Sequence, residues 1–264
     1  MKLNLAIAAL AAVSFAPVAE AGIQNVQSAL ATDVPEGVSG NASGSADYRT
    51  GNIAFLSLAT SGALRYRQDK HLLIGLVRLE RKSAGDRLIF GRTFEHLRYR
   101  FLFSDRLLFE AFGQHEFDAV KRLNIRAVGG IGPKYELIDG KNYGLGIGVA
   151  YMFEFEQLSE EEDPLITDSG DNDIAHRVSS YLVGHYEIDD RFQVVETLYL
   201  QPRVTDAADT RLLSESSIVL KATKRLSVTT SFTIAFDNRP PQTVEKTDTA
   251  LKTTISYEFG GDDE

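Results

Sequence analysis

The 264-residue chain has no cysteine and no tryptophan. Without cysteine there is no disulfide scaffold, no thiolate zinc cluster, no covalently attached haem and no thiol nucleophile. Positive charge is in short supply: 28 Lys and Arg stand against 37 Asp and Glu, a formal charge of −9, so nucleic acid is not an expected partner. Long apolar runs are missing too. Beyond the first 21 residues the longest strictly apolar stretch is residues 149–153, far short of the roughly 20 that a membrane-spanning helix needs. With a mean hydropathy of −0.15, the chain reads on average as a soluble protein. The average conceals a pattern that says otherwise.

The first residues carry an address. Lys2, an apolar core over residues 5–16 and the small-residue site Ala19-Glu20-Ala21 form the pattern of a secretory signal peptide, residues 1–21, cut before Gly22. Residues 22–36 are short, polar and without clear period, and read as a periplasmic tail. From there on the chain alternates with period two. From residue 143 to 155 the odd positions are Tyr143, Leu145, Ile147, Val149, Tyr151, Phe153 and Phe155; the even ones are Gly144, Gly146, Gly148, Ala150, Met152 and Glu154. A helix does not hold period two over such a length, so this is a strand. The alternation recurs over residues 123–135, 226–236 and 247–259. It is weaker over 53–67, 71–82, 88–103, 107–117, 174–188, 192–203 and 211–222, and weakest over 38–48, for a total of about twelve strands. Many reach ten residues, the length of a tilted membrane strand.

Short connections such as Gln68-Asp69 and Lys224-Arg225 come after the even strands, whereas longer ones, over 83–87, 118–122, 157–173, 205–210 and 237–246, come after the odd strands. Even strand number with short turns at one end marks an all-β, antiparallel, up-and-down transmembrane barrel spanning residues 37–259, with a polar extension over 260–264. Width fixes the facing. A barrel of about eight strands is filled by its own side chains, and a wider one holds a cavity. Twelve strands with the apolar face inward would enclose a dry void, so the apolar face belongs to lipid and the polar face to the lumen. Aromatic residues cluster toward both strand ends, as interfacial girdles do. Two residues misfit: Glu95 and Glu196 fall on the lipid face, so either the register shifts there by a bulge or those stretches lie above the hydrocarbon.

Three segments carry a family resemblance: the opening from Gly37 to Asn52, the middle from Arg98 through Gly132 to Asp139, and the ending from Asn238 to Phe259. Together they resemble a family of uncharacterised bacterial outer-membrane proteins labelled salt-induced outer membrane protein. The resemblance implies an outer-membrane barrel in a Gram-negative envelope, without established activity or catalytic residues. The last strand is also similar to the signal read by the barrel-assembly machinery, with Lys252, Thr254, Tyr257 and Phe259 in its slots.

No metal-spaced histidine pair and no nucleophile elbow occurs, so no enzyme, cofactor or metal site is expected. The candidate functional residues are the charges of the inward face: Arg92, Arg98, Arg100, Arg126, Arg177, Glu110, Glu116, Glu154 and Glu215. They line either a water-filled pore for ions or small solutes, or a structural barrel closed by ion pairs; Arg92, Arg98 and Arg100 on one strand favour anions. Gly130, Gly132, Gly144, Gly146 and Gly148 read as a smooth patch on the lumen wall. The acidic loop from Glu160 to Asp173 is a candidate for divalent cations or for bridging to lipopolysaccharide. The competing reading is a soluble periplasmic β-barrel or sandwich that binds a ligand.

Overall fold

The computed structural model describes residues 23, 25–26, 34–49, 55–84 and 87–260. The expected signal peptide and the last four residues of the expected extension lie outside them. Among the described residues the chain forms twelve strands: β1 (Gly37–Arg49), β2 (Phe55–Gln68), β3 (His71–Ala84), β4 (Arg87–Leu102), β5 (Leu107–Asp118), β6 (Leu123–Asp139), β7 (Tyr143–Leu158), β8 (Asn172–Glu187), β9 (Phe192–Arg203), β10 (Asp206–Lys221), β11 (Leu226–Asp237) and β12 (Thr247–Gly260). Each pairs antiparallel with its sequence neighbours, and β12 closes on β1, so the barrel has no free edge. Closure gives every strand a partner on both sides, as a hydrocarbon environment demands, although the β1–β12 seam is paired only from Ser39 to Ser43.

Side-chain alternation sets the two surfaces. On β7 the odd residues from Tyr143 to Phe153 point outward, all exposed but the half-buried Leu145, whereas Gly146, Gly148, Ala150, Met152 and Glu154 point inward and are buried. Its 16 residues, at about 3.3 Å each, run for about 53 Å along a tilted strand, enough to cross a bilayer. The outer wall carries Leu58, Leu97, Ile131, Val149, Leu198, Ile218 and Leu251, all exposed. Toward the short-turn end it is ringed by Tyr66, Phe103, Tyr135, Tyr143, Tyr186, Phe192, Tyr257 and Phe259. A soluble ligand-binding barrel would bury this belt; here it is the surface.

The seam between β1 and β12 is fixed by a local fit. Gly40 lies opposite Phe259, and a Cβ on Gly40 would collide with the Ala63 carbonyl and with the Phe259 ring. The aromatic ring therefore lies across the glycine and covers backbone that would otherwise be bare.

Three sequence expectations are corrected. Glu95 and Glu196 do face outward, but no bulge excuses them: the register shifts lie at Lys82/Ser83, Glu116/Asp118, Leu123/Ile125, Glu136/Ile138 and Asp206/Thr210. Each glutamate instead has a partner on the adjacent strand. His115 Nδ1 lies 2.8 Å from Glu95, while Ser214 and Ser216 donate to Glu196. Residues 205–210 are not a long loop, since β10 begins at Asp206 and the turn from β9 is Val204-Thr205. The long connections are residues 159–171 and 238–246. Finally, residues 22–36 do not all lie below the barrel as a tail. Of their described members, Pro35 and Glu36 are exposed, but Ile23, Asn25, Val26 and Val34 are each only 2% exposed; the three aliphatic ones pack on inward-facing side chains and Asn25 bonds Glu215.

Candidate functional site

The lumen is lined by the polar parity of the strands. Toward the long-loop end, acids and bases of seven strands interlock. Arg92 on β4 donates to Asp118 on β5 at 2.9 Å, and Lys121 lies 3.5 Å from Glu116. Arg126 on β6 bonds Glu116 at 3.2 Å and Glu154 at 2.5 Å. Glu154 on β7 also accepts from Arg177 on β8 at 3.0 Å and from Arg211 on β10 at 2.9 Å. Arg177 and Arg211 reach on to Asp209 and Asp237. The contact between β7 and β10 skips two strands, so the network bridges the interior rather than following the wall. Burying one charge costs several kcal/mol unless a partner and hydrogen bonds offset it. Glu154 meets that requirement with three guanidinium groups.

A second cluster lies nearer the short turns. Glu110 on β5 accepts from Arg98 at 3.1 Å, from Arg100 at 2.6 Å and from the Tyr181 hydroxyl of β8 at 2.6 Å. Arg98 also stacks 4.9 Å above the Phe112 ring. Arg92, Arg98 and Arg100 therefore all have carboxylate partners, and the expected anion-favouring row is neutralised where it stands.

The inward glycines are not a smooth patch. A Cβ on Gly130 would strike the Phe112 ring, one on Gly144 the His185 ring, and one on Gly148 the Tyr181 ring. Their bareness lets bulky neighbours lie flat on the wall. Gly148 in particular gives Tyr181 the room from which its hydroxyl reaches Glu110.

The nine expected lumen charges all point inward. Eight of them join the two ionic clusters, and Glu215 lies apart, accepting from Asn25 Nδ2 at 2.8 Å. Sequence reading missed Asp118, Asp209 and Asp237, although each continues the inward parity of its strand past the end assigned to it. It also missed Tyr181, an aromatic residue on the polar face. Of the last-strand residues, Lys252 and Thr254 face inward, with Lys252 Nζ 3.0 Å from Glu80, while Tyr257 and Phe259 face outward. Three of the five histidines sit on the outer wall, where His71 and His176 bond Tyr99 and Tyr151 across neighbouring strands and His115 bonds Glu95.

Over the long-loop mouth the acidic loop is folded and tied down. Arg122, between β5 and β6, donates to Asp168 at 2.7 Å, to Glu161 at 3.2 Å and to the carbonyl of Gln242 at 2.9 Å. Gln242, from the connection between β11 and β12, donates its own backbone N–H to Asp168 at 2.7 Å. Loops from three parts of the rim thus meet at one arginine. Burial works against ionisation of Asp168, but the Arg122 hydrogen bond and the Gln242 N–H outweigh it and hold the carboxyl below its ordinary range. The same pairing outweighs burial at Arg122 and raises its pKa. Among the described residues no group of three or more His, Asp or Glu is arranged to hold a metal ion, in this loop or elsewhere.

A family model described as protein of unknown function, DUF481, matches residues 42–259. No curated protein matches the chain. Among solved structures, the NanC porin aligns over 83% of this chain and 98% of its own, at 10% identity and a TM-score of 0.50. An outer membrane channel from Pseudomonas putida F1 aligns over 86% and 97%, at 14% identity and a TM-score of 0.49. The KdgM porin, solved in complex with disordered oligogalacturonate, aligns over 84% and 99%, at 10% identity and a TM-score of 0.46. At such identities the likeness is one of fold, and the first of them carries it.

Proposed function

The chain belongs to the family described as protein of unknown function, DUF481, and from its lumen we propose that it is an outer-membrane barrel serving as a narrow passive pore for ions or small solutes. The observation that carries this reading is the lining. Twelve strands enclose more space than a smaller barrel's side chains would fill, and the interior is polar, crossed by buried, paired ionised groups such as Arg126, Glu154, Arg177 and Glu110. Charged rings of this kind set the selectivity of aqueous pores. The signs are nearly balanced, so the pore discriminates by size and by local field more than by net charge. In this reading the chain is exported to a Gram-negative outer membrane. Its surroundings are lipid and lipopolysaccharide, and the outward Tyr257 and Phe259 guide insertion by the assembly machinery. Conductance of the pure refolded protein in a planar bilayer tests the proposal. The expected result is small, stepwise currents that respond to neutralising Glu110 and Arg98.

A second reading has its own support. Because Arg211 reaches from β10 to Glu154 on β7, the interior is bridged, and a permanently closed structural barrel is consistent with that. Absence of current under every condition, in protein shown to be folded by heat modifiability, favours the structural barrel and sets the pore aside.

A further inference from the structure

The lumen contradicts its own polarity in two places. On β3 both faces are apolar: Leu72, Ile74 and Leu76 point inward beside Ala63 of β2 and Phe94 of β4. On the other side of the barrel, Tyr181, Tyr199, Leu213 and Ala235 of β8 to β11 form a second inward apolar patch. Apolar groups facing a water-filled channel are unfavourable in proportion to their area. Here neither patch faces water. Val26 and Val34 pack on the first, and Ile23 packs on the second.

Polar contacts fix the same segment. Arg78 of β3 donates to the carbonyl of Asn25 at 2.8 Å, and the Asn25 side-chain amide donates to Glu215 of β10 at 2.8 Å. β3 and β10 are five strands apart around the closed sheet, so Asn25 spans the interior from wall to wall. At the short-turn rim, Arg67 donates to the carbonyl of Val34 at 2.7 Å, and Glu36 accepts from the backbone of Asp69 at 3.2 Å. Thr197 of β9, beside Glu215 of β10 in the register, points into the lumen and is fully buried.

We propose that Ile23, Asn25, Val26 and Val34 to Glu36, the described residues ahead of β1, act as an internal plug. It enters from the short-turn end and seats two aliphatic anchors on one wall and one on the opposite wall, closing the lumen below the ionic network. The proposal rests on the pore reading for its consequence, but its seat is testable without current. Since the chain has no native cysteine, introduced thiols report alone. The pairs Val26→Cys with Ile74→Cys and Ile23→Cys with Leu213→Cys, treated with a short bifunctional maleimide in the folded, heat-modifiable barrel, are expected to cross-link to opposite walls. Thr197→Cys in the otherwise complete chain is expected to react slowly with a small impermeant maleimide, and at least tenfold faster once residues 22–35 are deleted. The deletion is further expected to raise single-channel conductance several-fold. Neither pair linking, or equal labelling of Thr197→Cys with and without the segment, overturns the plug. If the labelling difference holds while the deletion variant still carries no current, the plug stands and the pore reading falls.

Discussion

Glu154 is the residue on which most of the interior turns. It sits on β7 with three arginines aimed at it, and all four groups are buried. Replacing it by Gln keeps the shape and removes the charge, leaving Arg126, Arg177 and Arg211 under-compensated. Breaking a buried pair by removing one partner costs about 3–5 kcal/mol. Glu154→Gln should therefore lower the urea midpoint of the folded barrel markedly. Glu162→Gln, an exposed change in the acidic loop, should stay within about 0.5 kcal/mol of the parent. The inward side of Glu154 was legible in the sequence from parity alone. The network around it was only half legible, because Asp209 and Asp237, which pair with Arg177 and Arg211, lie where polar residues imitate a loop. The outward Glu95 was legible as an anomaly but misjudged in cause. A cross-strand histidine twenty residues away, His115, answers it, and period-two reading along one strand does not see a partner on the next.

Among the elements, β12 has two neighbours of unequal kind. It pairs with β11 from Leu226↔Tyr257 to Phe236↔Thr247, but meets β1 only from Ser39↔Gly260 to Ser43↔Ser256. The short seam depends on the fit of Phe259 against Gly40. Two substitutions reach it from opposite sides. Phe259→Ala removes the ring, and Gly40→Val crowds both the ring and the Ala63 carbonyl of β2. Both should reduce the heat-modifiable barrel recovered from membranes several-fold, whereas Thr249→Val, an outward change away from the seam, should leave it unchanged. Equal recovery from all three would mean that Phe259 matters neither to closure nor to insertion. Strand identity was readable because one face repeats every second residue over long stretches. Strand ends were less so: β8 and β10 start earlier than their apolar pattern, since their first turns are polar on both faces. The opening segment was the least readable. Ile23, Val26 and Val34 keep to no period, because a chain lying in a lumen meets walls on all sides rather than on one.

For the whole molecule, the long-loop mouth is held by Arg122, Asp168 and Gln242. Asp168 has its carboxyl depressed below the ordinary value of about 3.9. A depressed carboxyl contributes stability that is complete above its unfolded pKa and is lost as pH falls through the lower, folded one. Protease susceptibility of the loop over residues 159–171 should accordingly be flat from pH 7 to about 4 and rise only below that. Arg122→Ala should raise it already at neutral pH, by the value of about 1.5–3 kcal/mol carried by hydrogen bonds to charged groups. A rise centred near pH 6 would point to histidine and away from this latch.

The barrel is inside out relative to a soluble protein, apolar toward lipid and charged toward the lumen. The lack of tryptophan makes the test clean. Leu251 and Lys252 are consecutive residues of β12 on opposite faces of the wall. A single tryptophan is placed at each in turn, and the two proteins are refolded into vesicles whose acyl chains carry bromine. Leu251→Trp is predicted to be quenched by the brominated chains and protected from iodide in the water. Lys252→Trp is predicted to show the reverse. Equal quenching of both by lipid, or of both by iodide, would contradict the assignment of the two faces.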